Sequence, residues 1–92
     1  MKITWAPRAR KDFNDAIIYL KSRSPAGAER VAARILEAVR LLETFPRAAP
    51  SSRHRGLRQL VVRRTPYLVI YRVEADRVEI RAVIHAKRKR RK

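Results

Sequence analysis

The sequence predicts an α+β fold of two layers: a helical hairpin packed on an antiparallel sheet, in the order β-α-α-β-β-β. Three observations carry this reading. Apolar residues recur at helical spacing through the first half of the chain, as far as Leu42. Three β-like runs with alternating side chains follow Gly56. The breaks between those runs are short enough for hairpins, so successive runs should pair as an antiparallel meander. At 92 residues the chain is the size of one domain.

Lys2–Trp5 is short and alternating and reads as a strand. Pro7 suits the first turn of a helix, where its missing N–H costs nothing. Behind it, Ala9, Phe13, Ala16, Ile17 and Leu20 fall on one face, with Arg10, Lys11, Asp12 and Asp15 largely elsewhere. Ala6 is a poor N-cap, so packing must hold that end. The segment 22–27 breaks the pattern. Ser24 then serves as N-cap and Pro25 as first residue of a second helix, whose stripe runs through Ala28, Val31, Ala32, Ile35, Val39 and Leu42. Phe45-Pro46 ends it, because a residue before proline avoids the α region. Two such helices joined by a short turn should pack as an antiparallel pair.

Residues 47–56 read as a basic loop containing Arg53, His54 and Arg55. The β-like runs are 57–64, Tyr67–Val73 and 78–85. In the middle run, Tyr67, Val69, Tyr71 and Val73 share one face, and Leu68, Ile70 and Arg72 the other. In the last run, strict alternation sets Val78, Ile80, Ala82 and Ile84 against Glu79, Arg81, Val83 and His85. A helical layer on one side leaves the other face open, and that face is expected to carry the arginines. The body should span 1–86, followed by a basic tail, 87–92.

Twenty-four Lys and Arg stand against eight Asp and Glu, a net charge of +16. An apolar fraction of 46% is too high for a disordered polycation. Charge of this size attracts polyanions: nucleic acid, a ribosome, or an acidic protein. The first 46 residues contribute only +4, whereas the last eight hold six basic residues and no acidic one. With no cysteine there is no disulfide framework and no thiol nucleophile. No apolar run reaches the ~18 residues of a membrane-spanning helix, and Met1 opens straight into patterned sequence, so no membrane partner and a cytoplasmic address are expected.

Little catalytic chemistry is on offer. His54 and His85 are the only histidines and lie on separate elements, with no carboxylate pair placed beside them. Neither a metal site nor a cofactor site is expected. Gly27 and Gly56 are too few for a glycine-rich phosphate loop. What remains is an arginine surface, Arg53, Arg55, Arg58, Arg63, Arg64, Arg81 and Arg88, interleaved with Tyr67, Tyr71 and His85. Arginine forks match phosphate or carboxylate groups, and rings can stack on bases. For the two tyrosines, core packing with an outward hydroxyl is the stronger expectation. For His85, a hydrogen bond capping the strand end weighs as much as a functional role.

In order and spacing, a set of short motifs resembles the ParE branch of the RelE/ParE superfamily of toxins from bacterial toxin–antitoxin pairs. The motifs are Trp5, Ala9, Asp12-Phe13, Ile17 and Tyr19; residues 42–46 (LETFP); Gly56-Leu57-Arg58; Tyr67–Val73; and residues 83–88 (VIHAKR). The resemblance covers nearly everything from Ile3 to Arg88. The resemblance implies the β-α-α-β-β-β order read above and one of two activities. RelE-like members cut messenger RNA in the ribosomal A site with basic side chains on the sheet; ParE-like members poison DNA gyrase without cutting nucleic acid. Here Leu68 stands where such nucleases place an arginine after the residue opening the middle strand. Gln59 and Val61 stand where they often carry lysines, and Lys89 to Lys92 replace a terminal tyrosine. Arg88 does match the terminal arginine.

The resemblance therefore implies a gyrase-directed toxin with no catalytic site of its own, neutralised by an acidic, ParD-like antitoxin. Target contact is expected at Arg58, Arg63, Arg64, His85 and Arg88. Antitoxin contact is expected along the edges at Ile17, Leu20, Val31 and Ile35, which a monomer should leave partly exposed. The alternative is a ribosome-dependent endoribonuclease with Arg88 and His85 as its chemical residues. A third reading is a nucleic-acid-binding module relying on the tail.

Overall fold

The computed structural model describes residues 1–51 and 56–89, with residues 88 and 89 described by their backbone alone. The elements are β1 (Lys2–Trp5), α1 (Pro7–Arg23), α2 (Pro25–Thr44), β2 (Arg58–Val61), β3 (Tyr67–Val73), β4 (Arg77–His85) and a single turn, α3 (Ala86–Lys89). The expected boundary between body and tail falls inside α3. Among the described residues, no helix is long and apolar enough to cross a membrane.

Ser24 serves both helices of the hairpin. Its N–H donates to the Leu20 carbonyl at 2.8 Å, closing α1, and its Oγ accepts from Gly27 N–H at 3.0 Å, opening α2. Ala6 has no side-chain cap to offer α1. Its N–H instead donates to the Ile80 carbonyl at 2.8 Å, so the helix start is tied to the sheet. The N-terminal ammonium of Met1 donates to the Glu43 carbonyl at 2.6 Å, a cation where the α2 dipole is negative.

The strand order is β1-β4-β3-β2. β2, β3 and β4 form the expected antiparallel meander, and β1 joins it parallel to β4, with Ile3 opposite Val78 and Trp5 opposite Ile80. The sheet is therefore mixed, not wholly antiparallel. β2 is also shorter than the run 57–64. Thr65 closes a tight turn, its N–H and hydroxyl both donating to the Val62 carbonyl at 3.2 and 2.9 Å. Arg63 and Arg64 thus lie in the turn, and Arg64 takes a left-handed backbone (φ 63°).

Antiparallel partners share a face. Tyr67, Val69, Tyr71 and Val73 look toward the helices, joined by Leu60 and Val62, and close on Ala9, Ile35, Val39 and Leu42. Gln59, Val61, Leu68, Ile70 and Arg72 look away. β4 does not keep strict alternation. Ile70 faces Ala82 while Tyr71 faces Ile80, so Arg81 is an extra residue, a β-bulge. The slip of one residue exchanges the faces beyond it. Val78, Ile80, Val83 and His85 turn to the helices, and Glu79, Ala82 and Ile84 to the open side.

Candidate functional site

The bulge redraws the open face of the sheet. Its centre is aliphatic: Leu68 and Ala82 are buried, Ile70 and Ile84 half-buried and Val61 exposed, with Gln59 and Leu57 beside them. Arg72 and Arg81 lie at one end, and Arg81 Nη1 meets Glu79 Oε1 at 3.2 Å. A shallow groove crosses this face from Leu57 and Gln59 over Ile70 and Ala82 to Ile84, with Arg8 and Arg81 on its margin. Gly56, in the left-handed region (φ +74°), lets the Arg72 guanidinium lie over its backbone. Arg72 Nε is buried without a hydrogen-bond partner among the described residues. Among the described residues, the expected arginine-bearing open face is found only at that end, with Arg72 and Arg81: Arg58 faces the helices opposite Tyr71, and β2 ends before Arg63 and Arg64.

The four described residues expected to contact a target do not form one surface. Arg63 and Arg64 are exposed in the β2–β3 turn, and neither has an ion-pair partner among the described residues. Arg58 lies three residues along β2 from Val61, opposite Tyr71. Its Nη1 donates to the Ala49 carbonyl at 2.6 Å, so it holds the loop after α2. His85 lies at the turn end of the sheet, but the bulge points it toward α1, in a cleft with Asp12, Asp15, Tyr19 and Tyr67. Its ring stands edge-on to Tyr67 at 5.4 Å, and its Nδ1 accepts from Lys87 N–H at 3.2 Å, capping α3. The Arg88 side chain lies outside the described residues, as do Arg53, His54 and Arg55.

Tyr71 is packed in the core as expected, and its hydroxyl also makes it a polar anchor. It is fully buried, and its hydroxyl donates to the Pro46 carbonyl at 2.8 Å and accepts from Ala49 N–H at 3.3 Å. Burial pushes its pKa above the ordinary tyrosine value, opposed by the Ala49 N–H and the cations of Arg58 and Arg47. Asp12 plays a matching part at the other margin. Beyond β1 the outer edge of β4 meets no further strand among the described residues, and Asp12 Oδ2 accepts Val83 N–H at 3.0 Å while Arg8 Nε approaches at 3.4 Å.

A second groove runs between α2 and the free edge of β2, lined by Arg34, Glu37, Ala38 and Leu41 of α2, Pro50 and Ser51, and Leu60, Val61, Arg63 and Arg64. Ser51 bridges to Arg58 and covers the first half of that edge. Farther along, Val61 is 63% exposed, and the alternating bond pattern turns its N–H and C=O away from β3. Leu41 (47%) and Phe45 (57%) are exposed nearby on α2 and at its end.

The expected antitoxin edges fare unevenly. Ile17, Leu20 and Val31 are half-buried, the last two packed on the core. Ile35 is 0% exposed and closed to any partner. The outward apolar residues of the hairpin are instead Ile18, Tyr19, Leu36 and Leu41. Helical spacing identifies a stripe, but not which of its margins passes beneath the sheet. Among the described residues, no three potential metal ligands lie together.

Comparison with known proteins gives concordant results. The family described as "ParE toxin of type II toxin-antitoxin system, parDE" matches residues 3–90. A curated protein of Sinorhizobium fredii, described as "Putative toxin Y4kP", is 36% identical over 85 residues, covering 92% of this chain and 88% of that protein. A solved structure titled "Chromosomal ParDE TA system from P. aeruginosa" superposes with a TM-score of 0.79 at 24% identity, covering 92% of this chain and 95% of the other. A "YoeB/ParE toxin from Agrobacterium tumefaciens" gives a TM-score of 0.67 at 18% identity, covering 92% and 98%. At those identities the two structures establish the shared fold.

Proposed function

The chain belongs to the ParE toxin family of type II toxin–antitoxin systems, and from that membership we propose that it inhibits DNA gyrase and is held inactive by a cognate acidic antitoxin. The observation that carries the gyrase reading over mRNA cutting is the aliphatic centre of the open sheet face, Leu68, Ile70, Ala82 and Ile84. Cutting RNA in the manner of the RelE branch calls for groups that position a 2′-hydroxyl and stabilise a crowded phosphate, and these side chains do neither. His85, the one described histidine, is turned toward α1 and donates no chemistry to that face.

Neutralisation fits the groove between α2 and β2. Its floor is apolar at Ala38, Leu41 and Leu60, its strand edge is open at Val61, and Arg34, Arg63 and Arg64 offer guanidinium groups to carboxylates. An extended acidic segment there gains main-chain hydrogen bonds from the edge and ion pairs from the arginines. The protein acts in this reading by binding and has no catalytic site of its own.

The test is purified protein in gyrase supercoiling and cleavage-complex assays, with and without the antitoxin encoded beside it. Loss of supercoiling, restored by the antitoxin, is expected. Unchanged supercoiling together with cutting of mRNA in the ribosomal A site overturns the gyrase reading in favour of the ribonuclease.

A further inference from the structure

We propose that the end of the sheet formed by the β2–β3 turn and α3 contacts the phosphate backbone of double-stranded DNA without reading its bases. The proposal rests on the gyrase reading only in naming DNA, because a toxin on gyrase stands beside that duplex. Two basic clusters far apart along the chain meet here. Ala86 N–H, opening α3, donates to the Pro66 carbonyl at 2.7 Å, and Lys87 N–H donates to His85 Nδ1 at 3.2 Å. These two bonds root α3 beside the turn that carries Arg63 and Arg64. Only β3 lies between β2 and β4, so two strand spacings of ~4.8 Å set the clusters roughly 10 Å apart at their roots.

The cations are available. Arg63, Arg64 and Lys87 are exposed, and none has an ion-pair partner among the described residues. Asp12 and Asp15, which share a cleft with Lys87, are held by Arg8 and Lys11. Glu37 shares the α2–β2 groove with Arg34 as well as with Arg63 and Arg64. Along the chain, no acidic residue falls between Glu43 and Glu74 or after Glu79, and residues 87–92 are all Lys or Arg. Arg64 takes the left-handed region (φ 63°), where turn chemistry favours glycine or asparagine. That strain falls on a side chain the turn itself does not require, as strain at functional positions does.

Charge density and the rings select the partner. A duplex carries one phosphate charge per ~1.7 Å of its axis, on two strands that flank a major groove ~12 Å wide. Clusters rooted roughly 10 Å apart can meet both strands. A single strand binds by stacking its bases on open rings. Here Tyr67 is buried, His85 stands edge-on to it, and Tyr19 carries Arg23 over its face at 5.4 Å. An acidic protein segment in the α2–β2 groove reaches Arg63 and Arg64 but not α3, which does not line that groove.

The experiment follows the anisotropy of a labelled DNA duplex of about 20 base pairs, two turns, titrated with the full chain at about 50 to 200 mM salt. Log affinity is expected to fall against log salt with a slope of about −3 or steeper, ~0.9 for each of three or more phosphates. Arg63→Ala with Arg64→Ala should weaken binding at least about tenfold and remove about 2 from that slope, and Lys87→Ala about 1. Arg64→Gly should also weaken binding while melting no lower than wild type, since glycine suits the left-handed position. Lys2→Ala with Arg77→Ala, at the far end of β4, removes as much charge as the turn pair and should leave the slope unchanged. The proposal is overturned if the duplex does not bind, if the turn variants keep the full slope, or if the Lys2 and Arg77 control loses as much. Tighter binding of single-stranded DNA, duplex RNA or polyglutamate than of duplex DNA overturns it too. The titration contains no gyrase. Duplex binding without gyrase inhibition therefore defeats the gyrase reading alone, and gyrase inhibition without duplex binding defeats this proposal alone.

Discussion

Replacing Tyr71 by phenylalanine isolates the contribution of one buried hydroxyl. The ring keeps its place in the core cluster that includes Ile35 and Leu42, but Pro46 O loses its donor and Ala49 N–H its acceptor. Net worth is ~0.5–1.5 kcal/mol per bond, and Ala49 is itself buried, so Tyr71→Phe should cost about 2 kcal/mol. For a domain this size each kcal/mol shifts the melting midpoint by roughly 4–8 °C, which predicts a fall of about 8–16 °C. Calorimetry or circular dichroism at neutral pH measures it. A pH series adds a second constraint. Burial raises the folded pKa of Tyr71, so its contribution is complete below the unfolded value near ~10 and is lost as pH rises through the folded value. The stability gap between wild type and Tyr71→Phe should therefore be flat to about pH 10 and narrow above it. A midpoint within a degree of wild type at neutral pH, or a gap that widens in alkali, refutes the assignment of Tyr71 as the anchor of the loop.

Substitutions at Asp12 and in the β2–β3 turn test other parts of the fold and site. Asp12→Ala removes the acceptor for Val83 N–H at the margin of β4 beyond β1 and should cost about 1–3 kcal/mol in urea unfolding, with Asp12→Asn costing less because its amide oxygen still accepts. Hydrogen exchange at the Val83 amide should accelerate in the alanine variant, and unchanged protection contradicts the role. Arg63→Glu with Arg64→Glu leaves the fold intact, since both side chains are exposed in the turn, but should weaken antitoxin binding by at least about tenfold and flatten its salt dependence. Isothermal titration at two salt concentrations reads both effects; equal affinity and equal salt slope place the antitoxin elsewhere.

Local chemistry determined much of this protein. The helix limits followed from Pro7, Ser24-Pro25 and Phe45-Pro46, because caps and proline geometry are decided within a few residues. The meander followed from alternation and short breaks, and the family motifs lie in residues close together along the chain. Tertiary structure decided what depends on residues far apart. β1 chose β4 as a parallel neighbour across more than seventy positions, and no local pattern encodes that choice. Arg58 and Tyr71 became braces for the loop after α2 because their hydrogen-bonding atoms meet Pro46 and Ala49 only in the folded chain. Above all, one unpaired residue at Arg81 turned His85 toward α1 and Ala82 and Ile84 to the open side. Side-chain alternation has a period of two, so a single added residue inverts every position after it, and where the ladder takes that residue is settled by strand pairing.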